Sequence, residues 1–160
     1  GLGRTFQRLE LFGSLSVREN VRVATLGLPR RQRRARVDEV LERVGIGHLA
    51  DHRVDSLSTG TGRLVELARC LAARPTTVLL DEPASGQDDA ETVRFRQVLR
   101  DLTDANLAIV LVEHDMALVM GTCDRIHVLD FGRLIATGTP AEIQADPVVA
   151  AAYLGQEVAS

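Results

Sequence analysis

TTVLLDEP at residues 76–83 and AIVLVEHD at residues 108–115 are two short apolar stretches that each end in charged residues. Their length and content of β-branched residues are typical of buried strands, and we expect both strands to be central in a sheet. Between them, apolar residues recur at helical spacing and predict a helix over about residues 89–104. This strand–helix–strand order predicts an α/β fold with a parallel sheet and a right-handed crossover.

Acidic residues and an imidazole follow the two predicted strands. Ligands of open parallel sheets bind beyond the carboxyl ends of the strands, where Asp81, Glu82 and His114 are expected. Asp81 would hold Mg²⁺, and Glu82 would orient or deprotonate a water for attack on phosphorus. His114 would donate to the phosphoryl oxygens that gain charge. Asp is also common in the turns that end strands, so Asp81 alone is a weak signal.

A second candidate site is LSTGTGR at residues 57–63, directly before an apolar helical stripe over residues 64–74. A turn rich in Ser and Gly at a helix N-terminus presents free N–H groups to an anion. The alternative is a simple N-cap by Ser58, Thr59 or Thr61.

The remaining chain is predicted to be largely helical, with a hairpin. The capping-box spacing at Ser16 predicts a helix over about residues 16–26, and an apolar stripe predicts another over residues 37–44. We expect residues 46–60 to be loop with one helical turn. Residues 126–136 are predicted to form a hairpin, followed by two short helices.

The charge composition excludes several functions. The 160 residues carry 19 basic side chains, all of them arginine, against 22 acidic ones, for a net charge of −3. Without lysine, these residues contain neither a G-x-x-x-x-G-K-[ST] phosphate loop nor a Schiff-base lysine. A mildly negative chain also gives no global reason to expect nucleic acid as a partner. No apolar run approaches the roughly 18 residues of a membrane span.

Two local patterns leave alternatives open. The basic run over residues 29–36 could contact lipid headgroups or nucleic acid, but we favour the solvated start of a helix. His48 and His52 have a spacing that can bind zinc, although no third ligand accompanies them.

The order of these motifs resembles that of an ABC transporter ATP-binding subunit. The matching segments are residues 4–7 for the Q-loop, 57–61 for the signature, 78–82 for Walker B, 84–88 for the D-loop and His114 for the switch histidine. RTFQ at residues 4–7, VEHDM at residues 112–116 and the tail GTPAEI at residues 138–143 resemble the branched-chain amino acid importers in particular.

The resemblance implies a partial P-loop NTPase fold of the ABC ATPase type over residues 1–160. A helical subdomain with the signature would occupy residues 8–60. Residues 61–160 would carry Walker B, the D-loop, the switch histidine and a C-terminal tail with a hairpin and helices.

The resemblance also implies an ATPase that uses ATP and Mg²⁺. Gln7 and Asp81 would coordinate Mg²⁺, Glu82 would be the catalytic base, and His114 would contact the γ-phosphate. The remaining nucleotide-binding residues, by the same resemblance, are Ser58, Gly60 and Asp88.

The implied partners are a second ATPase subunit and membrane permease subunits. The ATPase subunits would form a head-to-tail dimer in which Ser58 and Gly60 act on the partner's nucleotide. Residues 9–56 would dock on a permease, which places the protein peripherally at the cytoplasmic face of the membrane.

This sequence departs from the family pattern at Thr59, Thr61 and Gln87, which stand where the family has Gly, Gln and Leu. The family's phosphate loop precedes the Q-loop, so we expect it before Gly1 and interpret the chain as the C-terminal portion of a subunit. Two alternatives remain: a non-catalytic interaction module, and a soluble ABC protein outside transport.

Overall fold

The computed structural model describes residues 1–105 and 107–157, with side chains described for residues 1–105 and 107–152. The chain divides into two compact units, one spanning Gly1–His114 and the other beginning at Asp115. Among the described residues, no helix is both long enough and apolar enough to cross a bilayer.

The described residues of the first unit form a three-stranded parallel sheet and four α-helices. Its elements are β1 (Leu2–Arg4), α1 (Val17–Val23), α2 (Arg30–Arg43), 3₁₀ turns at Gly47–Leu49 and Val54–Ser56, α3 (Thr59–Ala72), β2 (Thr77–Asp81), α4 (Asp89–Asp104) and β3 (Ala108–Val112). The strand order is β1-β2-β3, with β2 paired to both neighbours. The predicted strand–helix–strand unit and its parallel pairing are confirmed.

The position of β3 corrects one prediction. Only β2 is central; β3 forms one edge of the described sheet, and Val110 and Val112 are 50% and 57% exposed. An apolar run indicates that a strand can be buried on both faces, but it does not indicate how many neighbouring strands pair with it. The prediction of a second central, buried strand was therefore wrong.

Local capping residues set most helix starts. Ser16 and Glu19 form a capping box at α1, and Asp88 and Glu91 form another at α4. Helix α1 ends at Val23, three residues before the predicted end. The predicted loop over residues 46–60 holds two 3₁₀ turns and the first residues of α3, rather than a single turn.

One hydrophobic core joins the helices of the first unit to its sheet. It contains Val17 and Val21 of α1, Val37, Val40 and Leu41 of α2, Leu64, Leu67 and Leu71 of α3, Val78 and Leu80 of β2, and Phe95, Leu99 and Leu102 of α4. Because one helix face from each of α1 to α4 enters this core, the N-terminal end of α3 is fixed relative to the end of β2.

Up to residue 157, the second unit is a hairpin with three helices. Its elements are α5 (Met116–Thr122), β4 (Ile126–Asp130), β5 (Arg133–Gly138), α6 (Pro140–Ala145) and α7 (Pro147–Glu157). Strands β4 and β5 pair antiparallel around Phe131 and Gly132, which both have positive φ, as a tight hairpin turn requires. The predicted hairpin and closing helices are confirmed.

Candidate functional site

The turn after β2 holds two predicted site residues in an unusual backbone conformation. Asp81 is the last residue of β2, and the next residue, Glu82, has φ 44°, in the left-handed region that favours glycine. The Glu82 N–H donates to the Val112 carbonyl at 2.9 Å, so the end of β3 holds this turn. Strained non-glycine residues persist where the surroundings impose them, and they concentrate at functional sites.

Strand β1 brings the third predicted residue, Gln7, to the same place. The Thr5 N–H donates to the Leu79 carbonyl at 3.0 Å, which continues the pairing of β1 with β2. Gln7 Nε2 then donates to Glu82 Oε2 at 2.8 Å. The structure therefore places the Gln7 side chain in direct contact with Glu82, the residue that follows Asp81.

Asp81 has a partner that the sequence did not suggest. Arg4 Nη2 lies 3.2 Å from Asp81 Oδ2, and both side chains are partly exposed. An ion pair this accessible to water contributes about 1 kcal/mol or less to stability. Arg4 therefore positions the carboxylate without adding much to the fold.

Glu113 links the two strand ends, although it was not among the predicted site residues. Its side chain is only 1% exposed, and its Oε1 accepts a hydrogen bond from the Ala84 N–H at 2.8 Å. Its Oε2 accepts one from the His114 N–H at 3.1 Å. The His114 ring is 77% exposed at the end of β3, with Nδ1 3.8 Å from the same Oε2.

The Ser/Gly turn at residues 58–61 caps α3. Ser58 Oγ accepts a hydrogen bond from the Thr61 N–H at 3.3 Å and donates to Thr61 Oγ1 at 3.0 Å, so the capping interpretation of this segment holds. Contact of Ser58 with a phosphate stays a prediction.

Gly60 is buried where this turn meets the start of α4. A Cβ atom added at Gly60 would lie 2.5 Å from Cδ and 2.7 Å from Cβ of Glu91. Glu91 also holds Asp88, whose carboxylate accepts from the Glu91 N–H at 2.8 Å. The close approach of α3 to α4 thus explains the glycine, and it brings Gly60 near the residue that pairs with Asp88.

A buried ion pair on α3 was not predicted at all. Arg63 and Glu66 are 5% and 9% exposed, with Arg63 Nη1 3.0 Å from Glu66 Oε2. Arg63 also donates to the Phe6 carbonyl at 2.9 Å and to the Gln7 carbonyl at 2.5 Å. Helix α3 therefore holds the backbone of the segment that carries Gln7.

The only sequence signal for this pair was Glu66 within the apolar stripe of a predicted helix, with Arg63 directly before that helix. Burial raises the pKa of the Glu66 carboxyl, while the Arg63 guanidinium and the Phe6 N–H oppose that rise.

Family models match two segments of the chain. Residues 1–85, just over half of the chain, match the family model described as ABC transporter. The chain belongs to the ABC transporter ATP-binding family. Residues 133–159 match a second model, described as branched-chain amino acid ATP-binding cassette transporter.

Two kinds of curated relative are similarly close to this member of the ABC family. One is the high-affinity branched-chain amino acid transport ATP-binding protein LivG of Escherichia coli K12, with 38% identity, covering 98% of this chain and 68% of LivG. The other is the lipopolysaccharide export system ATP-binding protein LptB of Haemophilus influenzae, with 35% identity, covering 98% of this chain and 66% of LptB. The chain spans about two thirds of the length of these relatives.

Solved structures confirm the predicted fold class. The cbiO1 protein of Clostridium perfringens, part of the ABC transporter complex cbiONQ, superposes with a TM-score of 0.83 at 30% identity, covering 97% of this chain and 67% of that one. An ATP-binding cassette of another ABC transporter gives a TM-score of 0.85 at 24% identity and supports the fold alone. The predicted ABC transporter ATP-binding family is thus confirmed, and the identities to LivG and LptB do not distinguish their substrates.

The zinc hypothesis for His48 and His52 has no support from neighbouring side chains. Among residues 1–105 and 107–152, no group of three or more His, Cys, Asp and Glu side chains could hold a metal ion.

Proposed function

We propose that the chain is the C-terminal portion of an ATP-hydrolysing subunit of an ABC importer, which couples hydrolysis to uptake of branched-chain amino acids. The observation that carries the ATPase part is the contact of Gln7 with Glu82, one residue after Asp81 at the end of the central strand. A neutral amide and two carboxylates at a strand end suit a metal–phosphate ligand, because water activation and cation binding can be divided among them.

The side-chain oxygens present fit Mg²⁺. Mg²⁺ prefers oxygen ligands and keeps several waters, so one or two protein side chains suffice when nucleotide phosphates complete its shell. Gln7 Nε2 donates a hydrogen bond to Glu82, and Asp81 Oδ2 accepts one from Arg4. The Gln7 amide oxygen and Asp81 Oδ1 are not used in these two contacts. We propose the Gln7 amide oxygen and Asp81 Oδ1 as the cation ligands. MgATP supplies the electrophilic γ-phosphorus and the leaving group.

Glu82 is the proposed general base. Gln7 fixes one of its carboxylate oxygens, and the turn held by Val112 fixes its backbone, so its other oxygen can be directed at a water. His114, at the end of the neighbouring strand, would donate to the phosphoryl oxygens. Ser58, Gly60 and Asp88 would contact nucleotide across a head-to-tail dimer.

The rest of the proposal concerns domains, partners and location. Residues 8–60 would form the helical subdomain, and residues 61–160 would carry Walker B, the D-loop, the switch histidine and the tail. Residues 9–56 would dock on a permease subunit at the cytoplasmic face of the membrane. No nucleic acid is proposed as a partner. The match of residues 133–159 and the identity to LivG support an amino acid as the solute.

The catalytic part is tested with the complete subunit carrying Glu82→Gln. Because general bases contribute roughly 10²–10⁴-fold, we expect steady-state ATP hydrolysis to fall by at least about 10²-fold while ATP binding is retained. The matched control is Asp104→Asn, which removes an exposed carboxylate at the end of α4 and should leave hydrolysis unchanged. Undiminished hydrolysis by Glu82→Gln would reject Glu82 as the base. No hydrolysis by the unsubstituted subunit would favour the non-catalytic interaction module instead.

The solute is tested by uptake. Cells lacking the gene should lose uptake of radiolabelled leucine and regain it with the wild-type gene but not with Glu82→Gln. Unchanged leucine uptake together with a lipopolysaccharide defect would replace the importer with the export function that the name of LptB describes.

A further inference from the structure

A cleft between α1 and α2, on the first unit, is lined mainly by guanidinium groups. Its volume is about 550 Å³, and its polar lining consists of Arg18, Arg22, Arg30, Arg33, Arg34 and Asp51. Volumes of about 300–1,000 Å³ are usual for small-molecule sites. We call this feature the arginine cleft.

The arginine cleft has more positive charge than its carboxylates neutralise. Arg18 is paired with Asp38 and also lies 3.3 Å from Asp51. The side chains of Arg30 and Arg34, in contrast, make no hydrogen bond or ion pair to any residue that the structure describes. Because the whole chain carries a net charge of −3, this excess is local and does not follow from a basic composition.

The placement of these arginines is unfavourable for α2 itself. Arg30 and Arg34 are four residues apart on the helix, where like charges repel. The first turn of α2 contains no acidic residue, and its N-cap, Pro29, provides no side-chain cap. Positive charge near a helix N-terminus also opposes the helix dipole. A bound anion would relieve both penalties, which is the kind of local conflict expected at a binding site.

Part of the arginine cleft is held in place before any ligand arrives. Arg33 Nε donates to the Leu28 carbonyl at 2.9 Å, and its Nη2 donates to the Leu26 carbonyl at 2.8 Å. Val37, 1% exposed, anchors the same helix in the core beneath the cleft. A guanidinium that is already oriented loses less side-chain entropy when it binds.

We propose that the arginine cleft binds a doubly charged phosphate group, with Arg30 and Arg34 as its main ligands. The planar guanidinium matches the spacing of phosphate oxygens and binds them in bidentate fashion. Two sources carry this chemistry: a free phosphate compound, and the phosphomonoester headgroup of a lipid. This site is separate from the turn at Asp81 and Glu82, and it does not depend on the ATPase activity proposed for that turn. Its residues lie within residues 9–56, the segment proposed to dock on a permease, so the chain is tested without a permease.

The test uses two double variants of the full chain with the same change in charge. Arg30→Gln/Arg34→Gln removes the two cleft arginines that we propose as the main ligands. Arg31→Gln/Arg43→Gln removes two exposed arginines of the same helix that do not line the cleft. Pyrophosphate binding is measured by calorimetry at low salt, and binding to vesicles is measured by co-sedimentation. The vesicles are phosphatidylcholine alone, or with phosphatidic acid or phosphatidylglycerol.

We expect the cleft variant to bind pyrophosphate at least tenfold more weakly than wild type and the control variant to bind within twofold of wild type. Without ligand, the cleft variant should melt at the same temperature as wild type or higher, since a repulsion has been removed. Retention by phosphatidic acid vesicles, reduced only in the cleft variant, would identify the lipid as the source. Pyrophosphate binding without such retention would identify a free phosphate compound.

Three results would overturn the proposal. The first is no pyrophosphate binding by wild type, and the second is equal weakening in both variants. The third is equal retention of wild type on phosphatidic acid and phosphatidylglycerol vesicles with no loss in the cleft variant, which would show only nonspecific attraction to negative surfaces.

Discussion

Replacing Arg63 with methionine should destabilise the first unit strongly, because it removes the partner of a buried carboxylate. Glu66 is only 9% exposed, and without Arg63 its carboxylate would keep only the Phe6 N–H as a hydrogen-bond donor and the charge of Arg69 as a weaker electrostatic partner. The carbonyls of Phe6 and Gln7 also lose a donor, but both residues are exposed, so water can replace Arg63 there. The dominant cost is therefore the uncompensated charge. Breaking one side of a buried pair costs about 3–5 kcal/mol in free energy of unfolding.

The pH dependence of this loss has a defined sign. Burial already raises the pKa of Glu66 above its ordinary value of 4.5, and removing Arg63 raises it further. A carboxyl with a raised pKa in the folded state binds its proton more tightly there, so stability falls as pH rises from the unfolded pKa through the folded one. Arg63→Met should accordingly cost more at pH 8 than at pH 5, by about 1.4 kcal/mol for each unit of pKa difference covered.

The double variant Arg63→Met/Glu66→Met separates charge from packing. Replacing both members of a buried pair with apolar residues of similar volume is often neutral, so the double variant should recover most of the loss. Urea unfolding followed by far-UV circular dichroism at both pH values measures the four-member cycle. Additive costs of the two single substitutions, or an equal cost of Arg63→Met at pH 5 and pH 8, would refute the reasoning.

Three further predictions concern single positions. A Cβ atom at Gly3 would lie 2.3 Å from Cys70 Sγ, so Gly3→Ala should lower the free energy of unfolding in urea by about 1–3 kcal/mol. Adding Cys70→Ala should reduce that loss, and an unchanged loss in the double variant would contradict the clash. Burial raises the pKa of Cys70 to about 11, so in the Cys123→Ser variant its alkylation by iodoacetamide should increase about tenfold per pH unit between pH 8 and 10; a plateau near pH 9 would contradict this. Because Glu82 has φ 44°, Glu82→Gly should stabilise the first unit by about 1 kcal/mol, while ATP hydrolysis by the complete subunit is lost. A destabilised variant would show that the strain at Glu82 is compensated elsewhere.

Elements with local determinants could be predicted from the sequence. Helix α4 occupies residues 89–104 as expected, because its apolar spacing and the acidic N-cap at Asp88 both lie within one continuous segment of the sequence. The turn at Ser58 capped its helix for the same reason. Strand β1 was not predicted, since the three residues Leu2–Arg4 carry no apolar run and become a strand only by pairing with β2.

The candidate site was predictable in part. That Asp81 and Glu82 follow a strand could be inferred from residues 76–83, and their proximity to Gln7 came only through the resemblance to ABC subunits. The importance of Arg63 could not be inferred, because a charge on the apolar face of a helix is unfavourable until its partners are known. Those partners are the backbone of Phe6 and Gln7, more than fifty residues away in the chain.

Gln7 joins two parts of the first unit that have different proposed roles. Its side chain contacts Glu82 at 2.8 Å, and its carbonyl accepts from Arg63 at 2.5 Å. Hydrogen bonds weaken within a few tenths of an ångström, so a shift of α3 relative to the sheet must either move Gln7 or break one of these bonds. If Glu82 is the base, its orientation thus depends on the position of α3, the helix that begins at the signature turn. A change at Ser58 or Gly60 can therefore alter the orientation of Glu82 without contacting it.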